Sequence, residues 1–195
     1  MIQGVAFSLA TLGILGRGLS SPSPSEPDPE AGLNFTRVLP EGIDLNDLHN
    51  KSQNAVFAVD FEGLVPGSSG VIWESGGSAV GASLCVEGSN IVLRAGDGRA
   101  KWPSGCCYVL GTCPTGDGTI AWEINVDAGT VRMWWNGVSL GPSQGSFSGP
   151  YAGDDESRVF EVGGNTITVD SPTVGFTGFT SKSEVRYYSG QLVNL

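Results

Sequence analysis

The sequence predicts an all-β protein, an antiparallel β-sandwich or jelly roll preceded by an extended N-terminal arm. Glycine is abundant, with 30 of 195 residues, and charged residues make up only 15%. The glycines separate short runs rich in Val, Ile, Thr and Trp, which is typical of many short strands joined by tight turns. Because no long segment beyond residue 31 has helical periodicity, we expect the strands to pack on one another as a sandwich.

Residues 1–19 are apolar and contain no basic residue before Arg17. The segment is too short for a membrane span, which needs roughly 20 apolar residues. A positive charge that follows the apolar run is on the wrong flank for a secretory signal peptide. We therefore predict an arm that docks on another protein, with an atypical signal peptide as the alternative. The apolar side chains expected to dock are Val5, Phe7, Leu9, Leu12, Ile14 and Leu15.

Residues 20–32 have prolines at near-alternate positions, from Pro22 to Pro29. Such a segment favours an extended, polyproline-like spacer and cannot form a core. The sandwich domain is then expected over residues 33–195, where alternating apolar residues are bounded by glycine-rich turns. In chain order the predicted elements are a strand and turn over 33–48, strands over 55–63 and 70–77, a hairpin over 79–98, a two-hairpin meander over 118–141, a loop over 141–157, and closing strands over 158–164 and 176–193.

The meander contains "VRMWWNGVSL", in which an Asn-Gly pair separates two apolar runs. This pair predicts a hairpin with a type I′ turn at Asn136 and Gly137. Neighbouring residues of a strand point to opposite faces, so Trp134 and Trp135 cannot enter the same core. Because Trp134 shares its face with Arg132, we predict that Trp134 is exposed or faces an interface and that Trp135 faces the core.

The four cysteines, at positions 85, 106, 107 and 113, lie within one third of the chain. Their spacing lacks the paired pattern of a zinc site, and His49 is the only histidine. Residues 99–116 are expected to form a long stapled loop or an irregular strand. Two alternatives stay open: one or two disulfides among Cys85, Cys106, Cys107 and Cys113, or buried free thiols.

Several motifs occur in a recognisable order over about residues 55–195. The Asp127–Gly129 turn precedes the Asn136-Gly137 hairpin, Gly163-Gly164 follows, and the chain ends with Phe176, Gly178 and "EVRYY". Together they resemble the laminin-G-like form of the concanavalin A-like lectin/glucanase fold. The resemblance implies a jelly-roll sandwich, and it leaves the ligand open because this fold hosts many functions.

Two carboxylate pairs are candidates for glycoside hydrolysis, which in retaining enzymes needs two acids about 5–5.5 Å apart. Asp60 and Glu62 share a strand face but lack a third acid, and Glu123 and Asp127 are spaced too far apart. With a single histidine, no Ser/His/Asp arrangement is available either. We therefore expect a protein that is not an enzyme, with a divergent glycosidase as a minor alternative.

Binding residues are expected among the aromatic side chains and the loops. A lectin-type sandwich would use exposed aromatic rings, for which Trp102, Trp134 and Tyr151 are the candidates for carbohydrate or partner contact. Laminin-G-like domains often hold Ca²⁺, which the resemblance implies weakly for Asp154 and Asp155, although turns require Asp and Gly in any case. No other cofactor is expected.

The formal charge of −10 disfavours nucleic acid and anionic lipid as partners. The arm, the spacer and the lectin-like sandwich together resemble bacteriophage virion proteins that decorate a capsid or form a fibre or tail appendage. That resemblance implies a non-enzymatic structural protein on the virion surface, with other virion proteins and further copies of itself as partners and host glycans as a possible ligand. The alternative is a secreted carbohydrate-binding or adhesion module.

Overall fold

The computed structural model describes residues 54–76, 81–96, 106–149, 158–161 and 172–189. Within these ranges the chain forms eleven strands and no helix, so the predicted all-β fold is confirmed. The described part accordingly offers no helix of the length and apolar character that crossing a membrane requires. Several predictions lie outside the described residues: the docking arm and spacer of residues 1–32, the strand of 33–48, Trp102, Tyr151, Asp154 and Asp155.

The strands are short and follow one another closely along the chain. Their bounds are β1 (Ala55–Leu64), β2 (Gly70–Gly76), β3 (Gly81–Glu87), β4 (Asn90–Gly96), β5 (Cys106–Thr112), β6 (Gly116–Asn125), β7 (Thr130–Trp135), β8 (Val138–Ser139), β9 (Arg158–Val159), β10 (Ser181–Lys182) and β11 (Arg186–Ser189). They form two sheets. One has six strands, in the order β10-β1-β6-β7-β8 with β11 also paired to β1, and the other has five, in the order β5-β4-β3-β2-β9.

Every pair of strands in these sheets is antiparallel, and the two sheets face each other across one apolar core. Three aromatic rings occupy its centre. Phe57 of β1 stacks on its register partner Trp122 of β6, with centroids 5.3 Å apart, and Trp73 of β2 approaches Phe57 to 4.6 Å from the other sheet. Full burial of each large apolar side chain contributes about 2–3 kcal/mol, so this cluster holds the sheets together. The antiparallel jelly-roll sandwich is confirmed.

The Asn-Gly turn is also confirmed. Asn136 and Gly137 both have positive φ, at 48° and 78°, as a type I′ turn requires. The Asn136 side chain accepts a hydrogen bond from the Thr119 amide at 2.8 Å, which ties the turn to β6. At Gly118 a Cβ atom would collide with the Asn136 side chain, so the strand beside the turn needs glycine there.

Residues 106–112 form a regular strand rather than the stapled loop that the cysteines suggested. β5 pairs with β4 over all seven of its residues, from Thr112 opposite Asn90 to Cys106 opposite Gly96. Cys107 and Cys113 belong to the inter-sheet core, and all four cysteines are buried. The structure thus has buried thiols, the second of the two alternatives, and no disulfide joins them. Burial raises the pKa of the Cys85 thiol to about 12 and that of Cys113 to about 11, which keeps both protonated and unreactive.

Candidate functional site

The six-stranded sheet has a second face, opposite the core, that carries charged and aromatic side chains. Because successive residues alternate, the core positions Phe57, Trp122 and Met133 turn their neighbours outward. We call this surface the outer face; its central residues are Val56, Ala58, Asp60, Thr119, Ala121, Glu123, Arg132, Trp134 and Arg186. It lies on four neighbouring strands, so its side chains have fixed relative positions.

Asp60 is the centre of a hydrogen-bond network on the outer face. Arg186 donates from Nη1 to Oδ2 at 2.6 Å and from Nη2 to Oδ1 at 2.9 Å, a bidentate ion pair between β11 and β1. Thr119 of β6 donates its hydroxyl to Oδ1 at 2.6 Å. The side chain of Asp60 is 35% exposed and that of Arg186 is 21% exposed. The pair is therefore held in place and still reaches solvent.

The ionisation of Asp60 follows from these contacts. Partial burial acts to raise the pKa of its carboxyl, but the hydrogen bonds and charge of Arg186, with the hydroxyl of Thr119, outweigh it. The resulting pKa lies below the ordinary value for Asp. At neutral pH the group is a carboxylate, which accepts hydrogen bonds only.

Trp134 lies on the outer face, as its alternation with Trp135 predicted, but its ring is not exposed. The residue is 5% exposed and packs with Val56, Ala58 and Ala121 in a small buried cluster. The small alanines leave room for the indole to lie against the sheet. The exposed-ring prediction is wrong, whereas Trp135 is partly buried against the core on the expected side.

Arg132 connects Trp134 to a buried carboxylate. Its guanidinium lies over the Trp134 ring, 5.2 Å from the centroid, and its Nε donates to Glu123. Glu123 is fully buried, while the Arg132 side chain is 42% exposed. A cation over an indole is stabilised by the ring quadrupole. Arg132 therefore covers the ring with a side chain that itself reaches solvent.

The strand register sets the separation between the Asp60–Arg186 pair and the Arg132–Trp134 stack. Arg186, Ala58, Ala121 and Trp134 are successive partners across β11, β1, β6 and β7. Three strand spacings separate the first from the last, about 14 Å. Asp60 and Thr119 face each other in the row nearer the Asn-Gly turn. The outer face thus combines an acceptor, donors and an aromatic group within a small area.

The carboxylates that were weighed for catalysis have other partners. Glu62 accepts from the Ser181 hydroxyl at 2.6 Å, and Asp127 accepts from the Asn54 amide at 2.7 Å. Asp60 and Glu123 are held by arginines, as described above. Within the described ranges, no three His, Cys, Asp or Glu residues come together as a metal site. The weak calcium candidates Asp154 and Asp155 stay predictions.

Sequence reasoning considered Asp60 only as a partner of Glu62 and missed Arg186 and Thr119. Arg186 is 126 residues from Asp60, and Thr119 is 59 residues away. No local spacing links them. The Glu123–Arg132 contact could have been predicted from the sequence. The two residues are equally distant from the turn between β6 and β7, so the hairpin pairs them directly.

The five-stranded sheet has a polar outward residue of a different kind. Arg94 is 2% exposed and donates from Nη2 to Glu87 at 2.6 Å. An arginine buried this deeply with a carboxylate partner is typical of an internal ion pair. On the outer face of the six-stranded sheet, Asp60, Arg132 and Arg186 reach solvent, so that face is the better candidate for ligand contact.

Comparison with known proteins supports the fold. No protein-family model and no curated protein matches the sequence. Among solved structures, domains LG4-5 of the mouse laminin alpha1 chain match with a TM-score of 0.51 and 12% identity, over 72% of this chain and 37% of that one. The CBM40 module of the Ruminococcus gnavus IT-sialidase, bound to α2,6-sialyllactose, matches with a TM-score of 0.48 and 11% identity, over 70% and 76%. The laminin match confirms the concanavalin A-like sandwich, and at this identity it shows the fold alone.

The Asp60–Arg186 pair predicts a pH-dependent stability. The folded pKa of Asp60 is lowered, so its contribution is present at neutral pH and is lost as pH falls through that folded value. Asp60→Asn should lower the free energy of unfolding at neutral pH by about 1 kcal/mol or less, as for other partly exposed ion pairs. The difference from the wild type should close on acidification, as measured by urea denaturation at a series of pH values.

Glu184→Gln is the matched control, because Glu184 is an exposed acid in the loop between β10 and β11. It should show little difference from the wild type throughout. A difference between Asp60→Asn and the wild type that persists or widens at acid pH would contradict the assignment.

Proposed function

We propose that this protein is a non-enzymatic carbohydrate-binding module that holds a glycan on the outer face of its six-stranded sheet. The observation that carries the proposal is the Asp60–Arg186 pair, fixed by Thr119 and placed beside the Arg132–Trp134 stack. A rigid sheet positions all five groups without a ligand. Such preorganisation lowers the entropy cost of binding.

The chemistry of the pair suits sugar hydroxyls. An ionised carboxylate accepts from a sugar hydroxyl, and a guanidinium donates to one. The Thr119 hydroxyl, whose proton goes to Asp60, can accept from one. Hydrogen bonds to charged partners are stronger than neutral ones, about 1.5–3 kcal/mol each. Adjacent hydroxyls on one sugar ring could therefore engage Asp60 and Arg186 together.

The Arg132–Trp134 stack supplies the second contact in this proposal. The Trp134 ring is 5% exposed beneath Arg132, whose side chain is 42% exposed and bound to the buried Glu123. A sugar therefore lies against the exposed part of the Arg132 guanidinium, with the indole beneath it, and the ion pair with Glu123 stays intact.

The Ruminococcus gnavus CBM40 module was solved with sialyllactose. Its likeness to this chain is in the fold alone, so the proposal for this protein depends on its own residues.

Residues 1–32 favour a second role that is compatible with the first. An apolar segment followed by a Pro-rich spacer suits a domain displayed on a virion, where the arm would dock on the particle and the sandwich would attach to host glycans. Secretion as an adhesion module is the alternative. Mass spectrometry of natural material decides between them, because a mature start near residue 20 would rule out the docking arm.

Substitution of Asp60 should remove glycan binding without loss of the fold. Asp60→Asn keeps the shape of the side chain and removes the charged acceptor. We therefore expect the dissociation constant for any glycan that the wild type binds to rise at least tenfold. A glycan microarray identifies that ligand, and isothermal titration calorimetry measures the change. Circular dichroism checks that the variant is folded.

Val138→Ser is the control, because Val138 is 69% exposed on β8 at the edge of the same sheet. It should bind as the wild type does. Unchanged binding by Asp60→Asn would place the glycan elsewhere, and a wild type that binds nothing on the array would refute the proposed function.

A further inference from the structure

The outer face carries more negative than positive charge. Its described strand residues place four carboxylates on this side, Asp60, Glu62, Asp117 and Glu123, against two guanidiniums, Arg132 and Arg186. Lys182 does not offset them, because its ammonium lies over the Phe160 ring at 4.3 Å, on the core side of the sheet. An anion that approaches this face therefore meets net repulsion.

Both guanidiniums are already engaged by carboxylates. Arg186 presents both Nη atoms to Asp60, and Arg132 is bound to Glu123 through Nε while it stacks on Trp134. A ligand carboxylate or sulfate would have to displace Asp60 from Arg186 to form its own bidentate contact. That exchange would leave Asp60, which is partly buried, without its counter-ion.

A neutral hydroxyl group is not repelled by the carboxylates and does not need to displace Asp60 from Arg186. A sugar hydroxyl can donate to the Asp60 carboxylate while that carboxylate stays paired with Arg186, and it can accept from an exposed N–H of the guanidinium. It therefore adds hydrogen bonds to the network without breaking the ion pair. The Asp60 carboxylate accepts from Arg186 through both oxygens and from Thr119 through Oδ1. A carboxylate has about four lone-pair sites, so it can accept from a further hydroxyl.

We propose that the ligand of this face is a neutral oligosaccharide that presents adjacent hydroxyls, and that sialylated and sulfated glycans are disfavoured. This inference rests on the proposed function and narrows its ligand class. Its physical basis is the excess of carboxylates on the outer face, together with the fact that both Nη atoms of Arg186 already donate to Asp60.

The test uses the full chain on a microarray of paired glycans, each neutral oligosaccharide printed beside its sialylated and its sulfated form. Lactose with 3′- and 6′-sialyllactose is one such set. We expect the protein to bind each neutral glycan at least tenfold more tightly than the anionic form of the same glycan, as measured by separate titrations of the protein with the two forms. Higher salt should narrow that ratio, because salt screens the repulsion.

The outcomes separate this inference from the proposed function. Binding of anionic glycans as tightly as their neutral partners, or more tightly, would overturn the inference and leave glycan binding intact. A neutral preference that salt does not change would overturn its electrostatic basis. The absence of binding to every glycan on the array would refute the proposed function, and this inference with it.

Discussion

The structure depends on the contact between Phe57 and Trp122, which are register partners on β1 and β6 and stack within the core. Trp73 of the other sheet packs on Phe57 and joins the two layers. Because strand side chains alternate, a shift of one residue between β1 and β6 would exchange the two faces. Burial of these rings therefore disfavours a one-residue slip and decides which residues point outward.

The outer face is a consequence of that register. With Phe57 opposite Trp122, Ala58 must lie opposite Ala121 and Asp60 opposite Thr119. The alanines admit the Trp134 indole, and β11 brings Arg186 to Asp60. A partly exposed ion pair contributes little to stability. Its more important effect is to hold a charged acceptor, Asp60, and a guanidinium donor, Arg186, in a fixed orientation on the outer face.

Much of the fold could be predicted from local patterns. Alternation and the Asn136-Gly137 pair predicted the meander from β6 to β8 and the opposite faces of Trp134 and Trp135. β5 was missed as a regular strand because its cysteines suggested a staple, although its apolar alternation was present. The Asp60–Arg186 contact could not be predicted, since it depends on β11 pairing with β1 across most of the chain. The burial of Trp134 depends on the Arg132 rotamer that places the guanidinium over the ring, and the residue pattern of the strand does not specify that rotamer.

We propose that the core register creates a ligand-binding outer face on the six-stranded sheet. Amide chemical-shift changes, measured while the isotope-labelled chain is titrated with a neutral glycan selected on the array, test this proposal. We expect the largest changes at the residues around Asp60, Thr119, Arg132 and Arg186. Changes concentrated on β3, β4 and β5, with the outer face unaffected, would contradict it.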